Sequence, residues 1–145
     1  MKAQIVSRAQ LRPGAHPGLV PTLFAAAALI LFLAAAPAAW AGDVVAKGSF
    51  TGKSNHVTTG GVSIEKTAEG YLLVLEESFS FDGAPDPQLG FGKNGYDGST
   101  RFTLLKSNTG KQVYEVPASI DVSQYNEVWV WCEKFSVPLG VATLK

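Results

Sequence analysis

The sequence is short of cysteine, methionine and histidine. It has one Cys, one Met and two His in 145 residues, and the Met is the first residue. One cysteine cannot close an intramolecular disulfide, so a disulfide-stapled scaffold is excluded. Twelve basic side chains balance twelve acidic ones. The chain therefore has no excess of basic charge with which to bind nucleic acid, and we predict no nucleic-acid partner.

Negative charge is missing from the first 42 residues, which carry only Lys2, Arg8 and Arg12. An apolar run from Thr22 to Ala36 follows them, and the small-residue pattern Ala39-Trp40-Ala41 comes next. A basic segment, an apolar segment and an A-x-A site are the three parts of a secretory signal peptide. We therefore predict that residues 1–41 form a signal peptide, with an N-terminal signal helix, that is cleaved after Ala41.

An uncleaved membrane anchor is the alternative for this segment. A permanent transmembrane helix needs about 20 apolar residues, whereas the run has 15 and is preceded by Pro21. The shorter length favours cleavage, and we predict a periplasmic or extracellular protein with no stable membrane anchor. Residues 42–145 would then form a single domain with nine basic and twelve acidic side chains, a net charge of −3.

Long helical patterns are absent from the sequence of residues 42–145. Short apolar or alternating segments are separated by Gly, Asn, Asp and Pro, which is typical of strands and turns. Strands are predicted at 44–51, 57–66, 71–75, 88–91, 101–106, 111–116, 126–133 and 137–144. We predict that 101–106 and 111–116 pair as a hairpin. About seven to nine short strands indicate an all-β domain, either an antiparallel β-sandwich or a small barrel.

Cys132 is the single thiol, and the predicted export would place it in an oxidising compartment. It shares the parity of Val128 and Val130 in the alternating segment NEVWVWCE. Two roles are open. Unpaired cysteine is among the most often buried residue types, so Cys132 could be a core residue. It could instead be a functional thiol that ligates a metal or haem, or that is oxidised, which requires access.

His56 is the only histidine in residues 42–145 and lies in a polar loop before a strand. The ordinary role for such a residue is at the surface, but with Cys132 it could supply a second ligand. Zinc sites need three or four protein ligands, so we predict no zinc site. Because residues 42–145 contain no Met, haem ligation by a His/Met pair is excluded. Ligation by a His/Cys pair or by a single residue remains open.

Oxygen-rich side chains crowd the irregular segment 79–99, but their spacing does not follow the calcium loop of an EF-hand. We predict that they are turn residues rather than calcium ligands. These residues are Asp82, Asp86, Asn94 and Asp97.

Several aromatic residues near the C-terminus could stack a sugar, contact a partner or pack in the core. They are Tyr114, Tyr125, Trp129 and Trp131. The sequence has no G-x-S-x-G elbow, no P-loop and no dinucleotide-binding fingerprint. It therefore predicts no hydrolase, kinase or dehydrogenase.

Taken in order, these segments resemble the DM-thirteen domain, an extracytoplasmic module described as an electron-transfer domain and found beside DOMON and cytochrome b-type modules. The most specific element is Trp131-Cys132 followed by Phe-Ser-Val and Gly140. Ala84 and Leu139 depart from the family's usual Gly and Phe. The other matching segments are 48–50, 56–60, 71–75, 81–86 and 110–117.

The resemblance implies an electron-transfer or redox function in which Cys132 is a thiol or a ligand to a group such as haem. His56 is the natural second candidate, and a redox partner protein in the cell envelope is implied. The alternative is a non-catalytic binding module. In that hypothesis Cys132 is a core residue, and segment 79–99 or the tryptophan face contacts the partner.

Overall fold

A computed structural model of the protein describes residues 42–145, so the predicted signal peptide and its helix lie outside the described residues. Ten strands are present: β1 (Asp43–Gly52), β2 (Thr58–Thr59), β3 (Gly61–Lys66), β4 (Tyr71–Leu75), β5 (Ser80–Phe81), β6 (Pro87–Gly92), β7 (Thr103–Leu104), β8 (Gln112–Val116), β9 (Glu127–Cys132) and β10 (Val137–Thr143). Two short 3-10 helices span Gly98–Thr100 and Val122–Gln124. Within the described range, no helix is long and apolar enough to cross a membrane.

Eight of the strands form one sheet in the order β7-β6-β9-β10-β1-β3-β4-β8, and β2 pairs with β5 separately. Every pairing between these strands is antiparallel. The predicted all-β antiparallel architecture is confirmed. β9 lies between β6 and β10, so its main chain is paired along both edges.

The sheet curls around a single core. Leu89 on β6 and Leu73 on β4 belong to one buried cluster, although four strands separate β6 from β4 in the sheet. A flat sheet could not bring these side chains together, so the strands form a half-barrel. Lys106 N–H donates to the Tyr114 hydroxyl at 2.9 Å, which links the segment after β7 to β8, the opposite edge of the sheet.

The predicted hairpin between 101–106 and 111–116 is wrong. β7 pairs with β6 and β8 pairs with β4. Leu105 N–H donates to the Pro87 carbonyl, so the chain follows β6 rather than turning back onto itself. The turn at 107–110 exists, but the Gln112 side chain holds it by bonding both N–H and C=O of Ser107 at 2.9 Å.

The alternation predicted for β9 is confirmed. Val128 and Val130 are fully buried on the inner face, whereas Trp129 and Trp131 are half-buried on the outer face. Because side chains of a strand alternate between the two faces of a sheet, this register also points Cys132 inward.

Candidate functional site

Cys132 is the last residue of β9 and lies between Pro87 of β6 and Val137 of β10, its cross-strand neighbours. It is 1% exposed and belongs to the main hydrophobic cluster. The thiol is free and unpaired with another cysteine. In this conformation a large reagent or cofactor cannot reach its sulfur.

The segment beside Cys132 has a strained backbone. Glu133 N–H donates to the carbonyl of Asp86 at 3.2 Å, and Asp86, which lies between two prolines, has φ of +116°. Positive φ is rare for a residue with a side chain and is maintained only where the surroundings hold it. The Asp86 carboxylate contributes by accepting from Gln88 Nε2 at 2.7 Å. The sequence predicted a turn at Asp86 but not this strain.

His56 lies in the loop between β1 and β2, directly after Ser54 and Asn55, both of which have left-handed φ. Its Nδ1 lies 2.9 Å from Asp82 Oδ1, and Asp82 Oδ2 accepts from Val57 N–H at 3.0 Å. The Val57 N–H and then His56 hold the pKa of Asp82 below its ordinary value. The carboxylate therefore stays ionised and orients the imidazole.

The pairing of His56 with Asp82 was not predicted from the sequence. Asp82 looked like a turn residue, and 26 positions separate it from His56. The one signal was that both residues lie in segments that resemble the same family. Their side chains are 28% and 39% exposed, so the pair is open to solvent, and His56 Nε2 makes no hydrogen bond to residues 42–145.

Cys132 and His56 lie at the same end of the half-barrel. The short chain from Asp82 to Asp86 connects them, because Asp82 holds His56 and the Asp86 carbonyl holds the residue after Cys132. They do not face each other, since the thiol points into the core and the imidazole pairs at the surface. The structure therefore does not show the two residues as joint ligands of one group.

Of the two candidate haem ligands, His56 fits that role better than Cys132. A ligating histidine ordinarily bonds its second ring nitrogen to a carboxylate, which is the arrangement of His56 and Asp82. Cys132 does not fit as an axial ligand while it is buried. Within residues 42–145, no three His, Cys, Asp or Glu side chains are grouped closely enough to hold a metal ion.

The carboxylates considered for calcium are engaged in local contacts. Asp97 Oδ1 accepts from Ser99 N–H at 2.9 Å and from its hydroxyl at 2.6 Å, which caps the 3-10 helix at Gly98–Thr100. Asp82 and Asp86 hold His56 and Gln88, as described above. Asn94 has φ of +62°, a conformation typical of turns.

The outer face of β9 carries an aromatic cluster that includes Tyr96, which the sequence did not single out. Tyr96 stacks on Trp131 with ring centroids 4.4 Å apart, and Trp129 lies edge-on at 6.4 Å. The Tyr96 hydroxyl is buried without a partner in the described part of the chain, and burial raises its pKa to about 12. One face of Trp131 is thus covered by the chain itself. Of the other candidate aromatics, Tyr114 lies in the core and Tyr125 bonds Asp97.

Comparison with sequence models of protein families identifies the family of this chain. No curated protein and no solved structure matches this chain. The sequence model of the family described as Electron transfer DM13 matches residues 49–144, about two-thirds of the chain. The match runs from within β1 to just beyond β10 and includes both His56 and Cys132. The chain therefore belongs to the Electron transfer DM13 family.

Proposed function

We propose that the protein is an exported electron-transfer domain whose redox chemistry is centred on the end of the half-barrel that carries His56 and Cys132. The family match over residues 49–144 carries this proposal. The basic and apolar leader with its A-x-A site supports export to the periplasm or the cell exterior. Mass spectrometry of the exported protein would then find a chain that begins at Gly42.

His56 is the accessible ligand in this proposal. Its Nε2 faces away from the Asp82 contact, and the ionised Asp82 carboxylate fixes the ring orientation. A haem held there would supply one-electron exchange between ferric and ferrous iron. The role of this chain is to present the nitrogen and to hold a negative charge beside the imidazole.

Cys132 is the buried thiol at the same end of the half-barrel as His56. It becomes reactive only when the β9–β10 turn and the Asp86 segment separate, since Pro87 and Val137 flank it in the closed conformation. Local opening of this kind is ordinary at strand ends. The redox partner is a protein of the cell envelope.

A visible spectrum of the exported protein with haem supplied tests the ligand role. The wild-type chain and an Asn55→Gly control should show the same Soret band, because glycine accepts the left-handed φ of Asn55. His56→Ala should lose the band. If the wild-type protein shows no Soret band when haem is supplied, the ligand role proposed for His56 is refuted.

A second candidate function is a non-catalytic binding module, and the 1% exposure of Cys132 favours it. In this alternative Cys132 fills space in the core. Cys132→Ala would then cost about 1–2 kcal/mol of stability and leave the phenotype intact. Loss of function in a Cys132→Ala protein that still folds would exclude the alternative.

A further inference from the structure

The outer face of β10, β1 and β3 contains a broad groove of about 920 Å³. It lies on the side of the sheet opposite the core, and the carbonyl of Lys53, one of its lining residues, accepts from His56 N–H at 2.9 Å. Lysine and hydroxyl side chains surround it. Gly61 also lines the groove, and a side chain at this position would crowd Glu76, because a Cβ there would lie 2.9 Å from Glu76 Cγ. The lysine and hydroxyl residues are Lys47, Ser49, Thr51, Lys53, Thr143 and Lys145.

The groove is positive although the domain is acidic. Three of the nine basic side chains of residues 42–145 line it, whereas the domain carries a net charge of −3. Glu76 is the one acidic side chain among the lining residues, and it accepts from the Ser63 hydroxyl at 2.9 Å. The two ion pairs of the described chain are His56 with Asp82 and Arg101 with Glu133. The groove lysines are therefore left to attract an external anion.

The type of cation indicates a transient contact. Lysine is a hydrated point charge on a flexible stem, whereas tight bidentate recognition of carboxylate or phosphate uses arginine, and no arginine lines the groove. Complementary charge of this kind steers encounter and sets its rate more than its final affinity. Electron-transfer encounters are among the smallest and weakest protein interfaces.

An apolar border gives the groove an anchor beside its charges. Val141 lies in its lining and is the cross-strand neighbour of both Thr51 and Trp129. Trp129 is half-buried on the same outer face. A partner with carboxylates beside a small apolar patch would match this pattern, because protein interfaces combine polar with apolar contacts.

We propose that this groove docks a carboxylate-rich surface of a redox partner protein. The inference rests on the proposed electron-transfer function for the identity of the partner. The contact itself needs no electron to move, so binding and redox activity can be measured separately.

Binding of poly-L-glutamate to the exported protein, followed by fluorescence anisotropy at low salt, tests the groove. Lys47→Gln with Lys53→Gln should weaken binding roughly 2- to 30-fold, the loss expected for two exposed ion pairs. Lys93→Gln with Lys111→Gln is the matched control, because it removes the same charge from exposed positions outside the groove, and it should change binding by less than about 2-fold.

Equal losses of poly-L-glutamate affinity in the two double variants would overturn the proposal, because they would show that lysines anywhere on the surface attract the polymer. Unchanged binding in the groove variant would also overturn it. Tighter binding of polygalacturonate than of poly-L-glutamate, with the same dependence on Lys47 and Lys53, would replace the protein partner by an acidic polysaccharide. Thermal unfolding of each variant checks that the fold survives. If poly-L-glutamate binding depends on the groove lysines as expected but no redox activity is found, the proposed electron-transfer function is refuted. The groove then remains supported as a docking site for a carboxylate-rich surface.

Discussion

Replacing Cys132 by alanine removes one buried sulfur from the inner face of β9, where the residue is 1% exposed. Loss of a small buried group leaves a cavity that neighbouring side chains fill only in part, so we expect a loss of about 1–2 kcal/mol. For a domain of this size that loss lowers the melting temperature by about 4–16 °C. Cys132→Ser should be no less costly, because a buried hydroxyl without a partner carries a desolvation penalty of about 1–3 kcal/mol.

Thermal unfolding followed by circular dichroism measures these losses, and DTNB labelling measures access to the thiol. Cys132→Ala with Ser119→Cys moves the single thiol to an exposed position and is the reference for unhindered reaction. In the folded wild-type protein, Cys132 should react far more slowly than this reference and at the same rate once both are unfolded. Labelling of native Cys132 as fast as the reference, or a Cys132→Ala protein as stable as wild type, would refute the burial argument.

Other substitutions probe the contacts around the site. The lowered pKa of Asp82 means that its stabilising contribution is present above the unfolded-state value and is lost as pH falls through the lower folded-state value. Asp82→Asn should therefore flatten the acid limb of a stability-against-pH curve, and an unchanged limb would contradict the pairing. Gly140→Ala should lower the free energy of unfolding in urea by about 1–3 kcal/mol, because its Cβ would lie 2.7 Å from the side chain of buried Thr58. An unchanged free energy would show that the Thr58 side chain can move to make room. Asp86→Gly should raise the melting temperature by relieving a φ of +116°, and a lower value would show that the carboxylate contact with Gln88 outweighs the strain. Tyr96→Phe should leave the melting temperature unchanged or raised, because it removes a buried hydroxyl without a partner; a clear loss would mean that a water satisfies the hydroxyl.

The sequence predicted the strands well where the alternation of side chains was strong. In β9 the alternation of Val128, Val130 and Cys132 with the two tryptophans predicted which face each residue occupies, and β4 was predicted with its observed bounds. Pairing was harder to predict. The segment around β7 follows β6 because Leu105 bonds Pro87 across a long sequence separation, and nothing local in 101–106 indicates that choice.

The candidate site was predicted only in part, again because some of its contacts join residues that are far apart in the sequence. The parity of β9 made burial of Cys132 one of two open roles, and the structure places it inside. The partner of His56 is 26 residues away in a segment whose composition indicates only turns. Long-range contacts such as this one, and the stacking of Tyr96 on Trp131, depend on how the sheet curls, which local patterns do not specify.

An optical redox titration of the exported protein with haem supplied tests the proposed electron-transfer function most directly. We predict a reversible one-electron change in the Soret band that is retained in Asn55→Gly and lost in His56→Ala. A wild-type spectrum that shows no haem binding, or a bound haem that behaves identically in His56→Ala, would contradict the role proposed for this end of the half-barrel.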